Sequence, residues 1–169
     1  CSSDLVGELT VGNGSASAFA GSGTTYSALI TPSGDGTVTV DLGAEAAQDA
    51  AGNDSEAATQ FSIETDATAP TVALSTTASD PVSGAFTLDV VFSEPVPGFA
   101  VGDLTVGNGA ASDFAGSGTT YSATITPAAD GAVTDDLAAA AAQDAAGNDS
   151  EAATQFSITS DGTLPSVAL

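Results

Sequence analysis

The chain has 169 residues, no Lys, Arg, His, Met or Trp, and 22 acidic residues, for a formal net charge of -22. With no cation to neutralise phosphates, it should be repelled by DNA, RNA and anionic membrane surfaces. The missing His and Lys also remove the commonest general bases, Schiff-base chemistry and any Lys–Asn isopeptide crosslink.

The apolar fraction is 42%, enough for a core, but much of it is Ala, and the aromatic residues are seven Phe and two Tyr. Thin cores of Val, Leu, Ile and Phe are expected. No apolar run is long enough to cross a membrane as a helix. The chain opens on Cys1-Ser2-Ser3-Asp4, its single cysteine, which excludes an intramolecular disulfide. Such a start resembles a mature bacterial lipoprotein, so a lipid anchor at Cys1 is one reading. The end of a fragment is the other.

An internal repeat organises everything that follows. Leu9-Thr-Val-Gly-Asn-Gly14 recurs as Leu104 to Gly109, Ala20 to Ala28 as Ala115 to Ala123, and Gln48 to Glu56 as Gln143 to Glu151. The offset is 95 throughout, and only fourteen positions differ between 9–74 and 104–169. Three segments result: 1–65, a partial repeat without its first two strands; 66–163, a complete repeat; and 164–169, matching the first strand of a following one.

Within the complete copy, Thr71 to Ser75 reads as a first strand after Pro70. Phe86, Leu88, Val90 and Phe92 alternate with Thr87, Asp89 and Val91, giving a second strand with one buried face. Leu104 to Val106 is a third strand. It stops at Asn108-Gly109, a tight-turn signal, and Ala111 to Ala115 is expected to pair back across it. Tyr121, Ala123 and Ile125 alternate along the next strand, up to Pro127. Gly131 to Leu137 follows, then Ala138–Ala142 as an extended small-residue strand. Gln155 to Thr159 is the last. About seven short strands in ~95 residues suit an all-β, immunoglobulin-like sandwich.

Phe92-Ser-Glu-Pro-Val, Asp103-Leu-Thr-Val, Ser117-Gly-Thr-Thr-Tyr and Ala142-Gln-Asp-Ala-Ala-Gly-Asn, in this order and spacing, resemble the bacterial Ig-like repeats of large surface adhesins and extracellular matrix proteins. The resemblance covers nearly the whole chain. It implies an extracellular or cell-surface stalk or fibre module, commonly stiffened by calcium near module junctions, and no enzyme activity. The chain departs from the usual pattern in lacking basic residues. It also has Asp135-Asp136 where the first copy has Val40-Asp41, which predicts an exposed strand edge or a nearby cation.

In such a sandwich the linker before the first strand, the loop after the second and the loop before the last lie at one pole. They carry Asp66, Glu94, and Asp144, Asn148 and Asp149. The first copy repeats the last loop as Asp49, Asn53 and Asp54, and the C-terminal linker offers Asp161. Calcium takes six to eight such oxygen ligands, so these are the candidate metal ligands. The competing reading is that Asp and Asn in Gly-rich loops bond their own backbone.

Other motifs are weaker. Asn13-Gly-Ser, Asn53-Asp-Ser and Asn148-Asp-Ser match a glycosylation pattern. Carboxylate pairs for glycoside hydrolysis lack an aromatic sugar platform. Near-identical copies suit a repeating mechanical role, with neighbouring copies of the repeat as partners in one chain or between subunits. The partial ends are expected from a longer array cut at this point. The alternative is a self-assembling filament in which subunits complement one another's strands.

Overall fold

The computed structural model describes residues 5–168; Cys1, where a lipid anchor was one of two readings, lies outside them. The chain divides into two units that meet between Thr68 and Ala69. Both are built of strands, with two short 3-10 turns, Leu5–Glu8 and Val101–Asp103.

The second unit holds the strands β6 (Val72–Ser75), β7 (Phe86–Phe92), β8 (Leu104–Gly107), β9 (Gly109–Ser117), β10 (Thr120–Pro127), β11 (Gly131–Leu137) and β12 (Phe156–Ser160). They form a four-stranded sheet, β6-β7-β10-β9, and a three-stranded one, β12-β11-β8. All pairings are antiparallel. Strand side chains alternate between faces, and β7 uses this strictly: Phe86, Leu88, Val90 and Phe92 are buried. Opposite them, Tyr121, Ala123 and Ile125 of β10 and Val133 and Leu137 of β11 complete a single core cluster. Its aromatic corner packs edge to face, with the Phe92 and Phe99 rings 5.1 Å apart and Phe99 and Tyr121 also 5.1 Å apart.

The first unit contains β1 (Leu9–Gly12), β2 (Gly14–Ser22), β3 (Thr25–Pro32), β4 (Gly36–Leu42) and β5 (Phe61–Thr65). Its sheets are β1-β4-β5 and the hairpin β2-β3. Each strand lies 95 residues before its counterpart among β8 to β12. Among the described residues, nothing in this unit corresponds to β6 or β7.

Three sequence expectations are corrected. The hairpin across Asn108-Gly109 does not form: β8 pairs with β11, whereas β9 pairs with β10 in the other sheet. Asn108, at φ 55°, turns the chain between sheets, and its Nδ2 donates to the carbonyls of Ala129 at 3.0 Å and Ala132 at 3.1 Å. The turn signal was therefore real, but it marks a sheet crossing.

Ala138–Ala142 is not a strand. The run turns at Ala140, φ 59°, whose N–H donates to the Ser150 carbonyl at 2.8 Å. Ser150 is buried and bridges back to Ala142 through both its backbone and its hydroxyl. Finally, Asp135 marks no exposed edge. It lies on the central strand β11, between β12 and β8, and is fully buried.

Candidate metal centre

Two loops of the second unit carry the candidate carboxylates. The first leaves β7 at Ser93-Glu94-Pro95-Val96. Val96 is buried in the core. Its N–H donates to the Gly118 carbonyl at 3.1 Å, and its carbonyl accepts the buried Tyr121 hydroxyl at 2.8 Å. Ser93 is held on the other side: its N–H donates to the Thr71 carbonyl, and its Oγ accepts the Thr71 N–H, both at 2.9 Å. Glu94 is thus fixed from both flanks.

The second loop runs from Asp144 to Asp149. Asp144 is buried, and its Oδ1 accepts the N–H groups of Ala146, Gly147 and Asn148 at 2.8, 2.7 and 2.9 Å. Its Oδ2 accepts the Asn148 side-chain amide at 2.7 Å. Gly147, at φ 95°, permits the turn that aims these N–H groups inward. Burial pushes the Asp144 carboxyl up. The Asn148 amide and the three backbone donors outweigh that and hold it below the usual carboxylate value.

Glu94 and Asp144 converge, with one carboxylate oxygen of each within 4.8 Å of the other. Two oxygens bound to one calcium at 2.3–2.6 Å lie at most about 5 Å apart, so the pair is compatible with a shared calcium. The donor chemistry, hard carboxylate oxygen, matches the same ion.

The other candidates have local partners. Asp149 Oδ1 accepts the Gln143 amide at 2.7 Å, and Asp54 the Gln48 amide at 2.7 Å. In the first copy Asp49 Oδ1 accepts the N–H of Ala51 at 2.8 Å and of Asn53 at 2.9 Å, while its Oδ2 takes the Asn53 side-chain amide at 2.8 Å. Asp49 likewise sits below the usual carboxylate value, mainly through Asn53. The loop aspartates therefore do form turns on their own backbone, whatever else they hold. Asp66 and Asp161 occupy equivalent linker positions, accepting the N–H of Thr68 at 3.0 Å and of Thr163 at 3.1 Å.

A second pair of carboxylates escaped the sequence reading. Asp35 lies in the turn before β4. Its Oδ1 accepts the Ala67 N–H at 2.7 Å, and its Oδ2 accepts the Thr68 hydroxyl. Asp130 does the same in the second unit, taking the Gly162 N–H at 2.7 Å and the Thr163 hydroxyl. The Thr hydroxyl first, then the backbone donor, lowers both carboxyls. Each unit so clasps its own exit linker. The available signal was the Asp-x-Thr of each linker 31 residues after an Asp-Gly turn, in both copies.

A family model described as bacterial Ig-like domain matches the chain twice, over residues 3–65 and 66–160. The second match starts at Asp66, so the repeat as a sequence unit includes that linker carboxylate. No curated protein matches the chain.

Proposed function

The chain belongs to the bacterial Ig-like domain family, and we propose that it is a stalk or fibre segment of a bacterial adhesin or extracellular matrix protein, stiffened by calcium at its repeat junctions. Ig-like domains of this family suggest an extracellular structural repeat and are typically non-catalytic. No helix among the described residues is long and apolar enough to cross a membrane.

The observation that carries the mechanical part is the aspartate clasp. A linker tied to its unit by two hydrogen bonds from one side chain loses the freedom of a Gly/Ser tether. The same clasp occurs in both copies despite the substitutions around it, Ala67 against Gly162 and Thr65 against Ser160. A spacer needs such an exit. A ligand-binding module would instead need a loop that differs between copies.

The calcium part is supported by the convergence of Glu94 and Asp144 and by connectivity. The Pro70 carbonyl accepts the Glu151 N–H at 2.9 Å, and Thr71 is bonded to Ser93. The entering chain is therefore pinned beside both loops. We assign Glu94 and Asp144 as the carboxylate ligands. The chain has no cationic side chain, so the charge that balances them must come from solution.

Differential melting of the full chain tests this. With calcium at 100 times its dissociation constant, a native-state site adds about 2.7 kcal/mol. That is several degrees or more in Tm for a unit of this size, and Glu94→Gln should abolish the shift. Equal melting in calcium and chelator, with no heat of calcium binding, would remove the metal and leave the structural repeat in place.

A further inference from the structure

One dipeptide, Asn-Gly, turns the chain between sheets in both units: Asn13-Gly14 after β1 and Asn108-Gly109 after β8. The fold calls for each half of it. Asn13 and Asn108 lie at φ 53° and 55°, a left-handed backbone that Asn tolerates better than most residues. A Cβ at Gly14 would come within 2.8 Å of the Thr31 carbonyl oxygen, and one at Gly109 within 3.0 Å of the Thr126 carbonyl oxygen, so the close strand approach favours glycine.

Both asparagines hold the turn that carries a clasping aspartate. The Asn13 carbonyl accepts the Ser33 N–H at 3.0 Å, and its side-chain amide donates to the carbonyls of Gly34 at 3.2 Å and Asp35 at 3.3 Å. The Asn108 carbonyl accepts the Ala128 N–H at 3.0 Å, and its amide donates to the Ala129 and Ala132 carbonyls, on either side of Asp130 in sequence. Asp35 and Asp130 are the residues that bind the exit linkers.

The same dipeptide is chemically labile, because no Cβ screens the glycine nitrogen from the asparagine side chain. That nitrogen attacks Cγ, a new C–N bond forms, and the Cγ–Nδ2 bond breaks. The proton lost by the glycine nitrogen leaves with the amide as ammonia. Water then opens the succinimide at either carbonyl, giving aspartate or isoaspartate, with no oxidant or reductant needed. In the folded units two carbonyls pin each amide. The glycine that follows opens a paired strand, with Gly14 opposite Pro32 and Gly109 opposite Pro127. Both restraints keep Cγ from swinging onto the glycine nitrogen.

We propose that Asn13 and Asn108 are self-modification sites, latent in the folded units and reactive once a unit opens, whose conversion to aspartate or isoaspartate permanently loosens the linker clasp. The product carboxylate has no proton to donate and faces the carbonyls that the amide held. The chain has no cationic side chain to take the place of that amide. Isoaspartate also adds a methylene to the main chain at the sheet crossing. The inference rests on the clasp of the stalk reading and not on calcium. A stalk built this way keeps a covalent record of every unit that has been pulled open.

Asn53 and Asn148 serve as internal controls, since each is followed by Asp, whose side chain screens the nitrogen. The test holds the full chain at mildly alkaline pH, in buffer and in unfolding urea, and digests it at acidic residues. Mass spectrometry then reads the amide-to-acid mass change, which isomerisation at Asp-Gly does not produce. Asn13 and Asn108 should convert in urea ahead of Asn53 and Asn148, and at least about tenfold more slowly in buffer. Asn13→Asp should speed hydrogen exchange of the Ala67 amide several-fold, and Asn108→Asp that of the Gly162 amide, each leaving the other linker unchanged. Asn108→Gly keeps the left-handed turn without adding charge and should speed Gly162 exchange to a smaller extent. Equal conversion in buffer and urea, or linker exchange unaltered in all three variants, would overturn the proposal. Asp35→Asn tests the clasp itself, and calcium-dependent melting tests the metal, so those readings can stand where this one fails.

Discussion

Asp135 offers the sharpest test of how this fold handles its charge. The side chain is fully buried on β11, flanked inward by Val133 and Leu137 and paired across to Val106 and Phe156. No donor among the described residues reaches either carboxylate oxygen. Its neighbours on β8 and β12 carry no charge, and the nearest acid on its own strand is Asp136. Burial, with a smaller contribution from Asp136, pushes its pKa up from 3.8 to about 6. A rise of two units corresponds to about 3 kcal/mol.

The sign follows from which state holds the proton more tightly. The folded pKa exceeds the unfolded one, so this contribution is fully present below about pH 3.8 and is lost as pH rises through about 6. Between pH 8 and pH 4.5 some 2 kcal/mol, roughly, should be regained. That is a large share of a marginal stability of about 5–15 kcal/mol. Other carboxylates act in the opposite direction: Asp130 and Asp144 lie below their ordinary value, and their stabilisation falls away in acid. The measured quantity is therefore the difference between the parent and Asp135→Asn.

A Tyr26→Phe background leaves the buried Tyr121 as the single tyrosine, and with no Trp its fluorescence reports the second unit alone. Urea unfolding at pH 4.5 and pH 8 should show the parent losing about 2 kcal/mol more than Asp135→Asn on going to pH 8. Asp135→Val, which restores the residue found at Val40, should stabilise the unit at pH 8 by about 3 kcal/mol. Identical pH profiles for parent and Asp135→Asn would refute the assignment of a buried, unpartnered carboxylate.

Two further outcomes are expected. Tyr121→Phe leaves the buried Val96 carbonyl without its hydroxyl donor; it should cost about 1–3 kcal/mol in urea unfolding and, by loosening the Glu94 loop, shrink the calcium shift in Tm. Asp35→Asn removes the acceptor charge of the linker clasp, so exchange of the Ala67 amide should speed several-fold with little change in unfolding free energy.

The sequence made the sandwich legible because two periodicities agreed. The 95-residue repeat set the unit, and the alternation in Phe86–Phe92 and Tyr121–Ile125 set which faces are buried. It misled where local turn chemistry has two outcomes. Asn108-Gly109 has the residues of a hairpin turn, yet Asn108 spends its amide on the 129–132 carbonyls and the chain changes sheet. Ala138–Ala142 carries no periodic signal at all, and its path is set by Ser150, eight residues beyond Ala142. The pole containing Glu94 and Asp144 could be placed because strand order fixes which loops share an end of a sandwich. The clasps by Asp35 and Asp130 could not, because they depend on side-chain reach from a turn to a linker about 30 residues away.

One constraint links these features. A chain with no Lys, Arg or His cannot form the usual side-chain ion pairs, so its carboxylates are positioned by neutral donors. The loop aspartates use backbone N–H groups and Asn amides. Asp41 and Asp136 take the amides of Gln60 and Gln155 on the neighbouring segment. Asp54 and Asp149 take those of Gln48 and Gln143, and the clasps use threonine hydroxyls. Such bonds fix geometry without cancelling charge, so the -22 remains as self-repulsion that only solution cations can screen. Added monovalent salt should therefore stabilise both units through screening. A calcium effect that survives at high monovalent salt would have to come from a site such as Glu94–Asp144 and not from the general field.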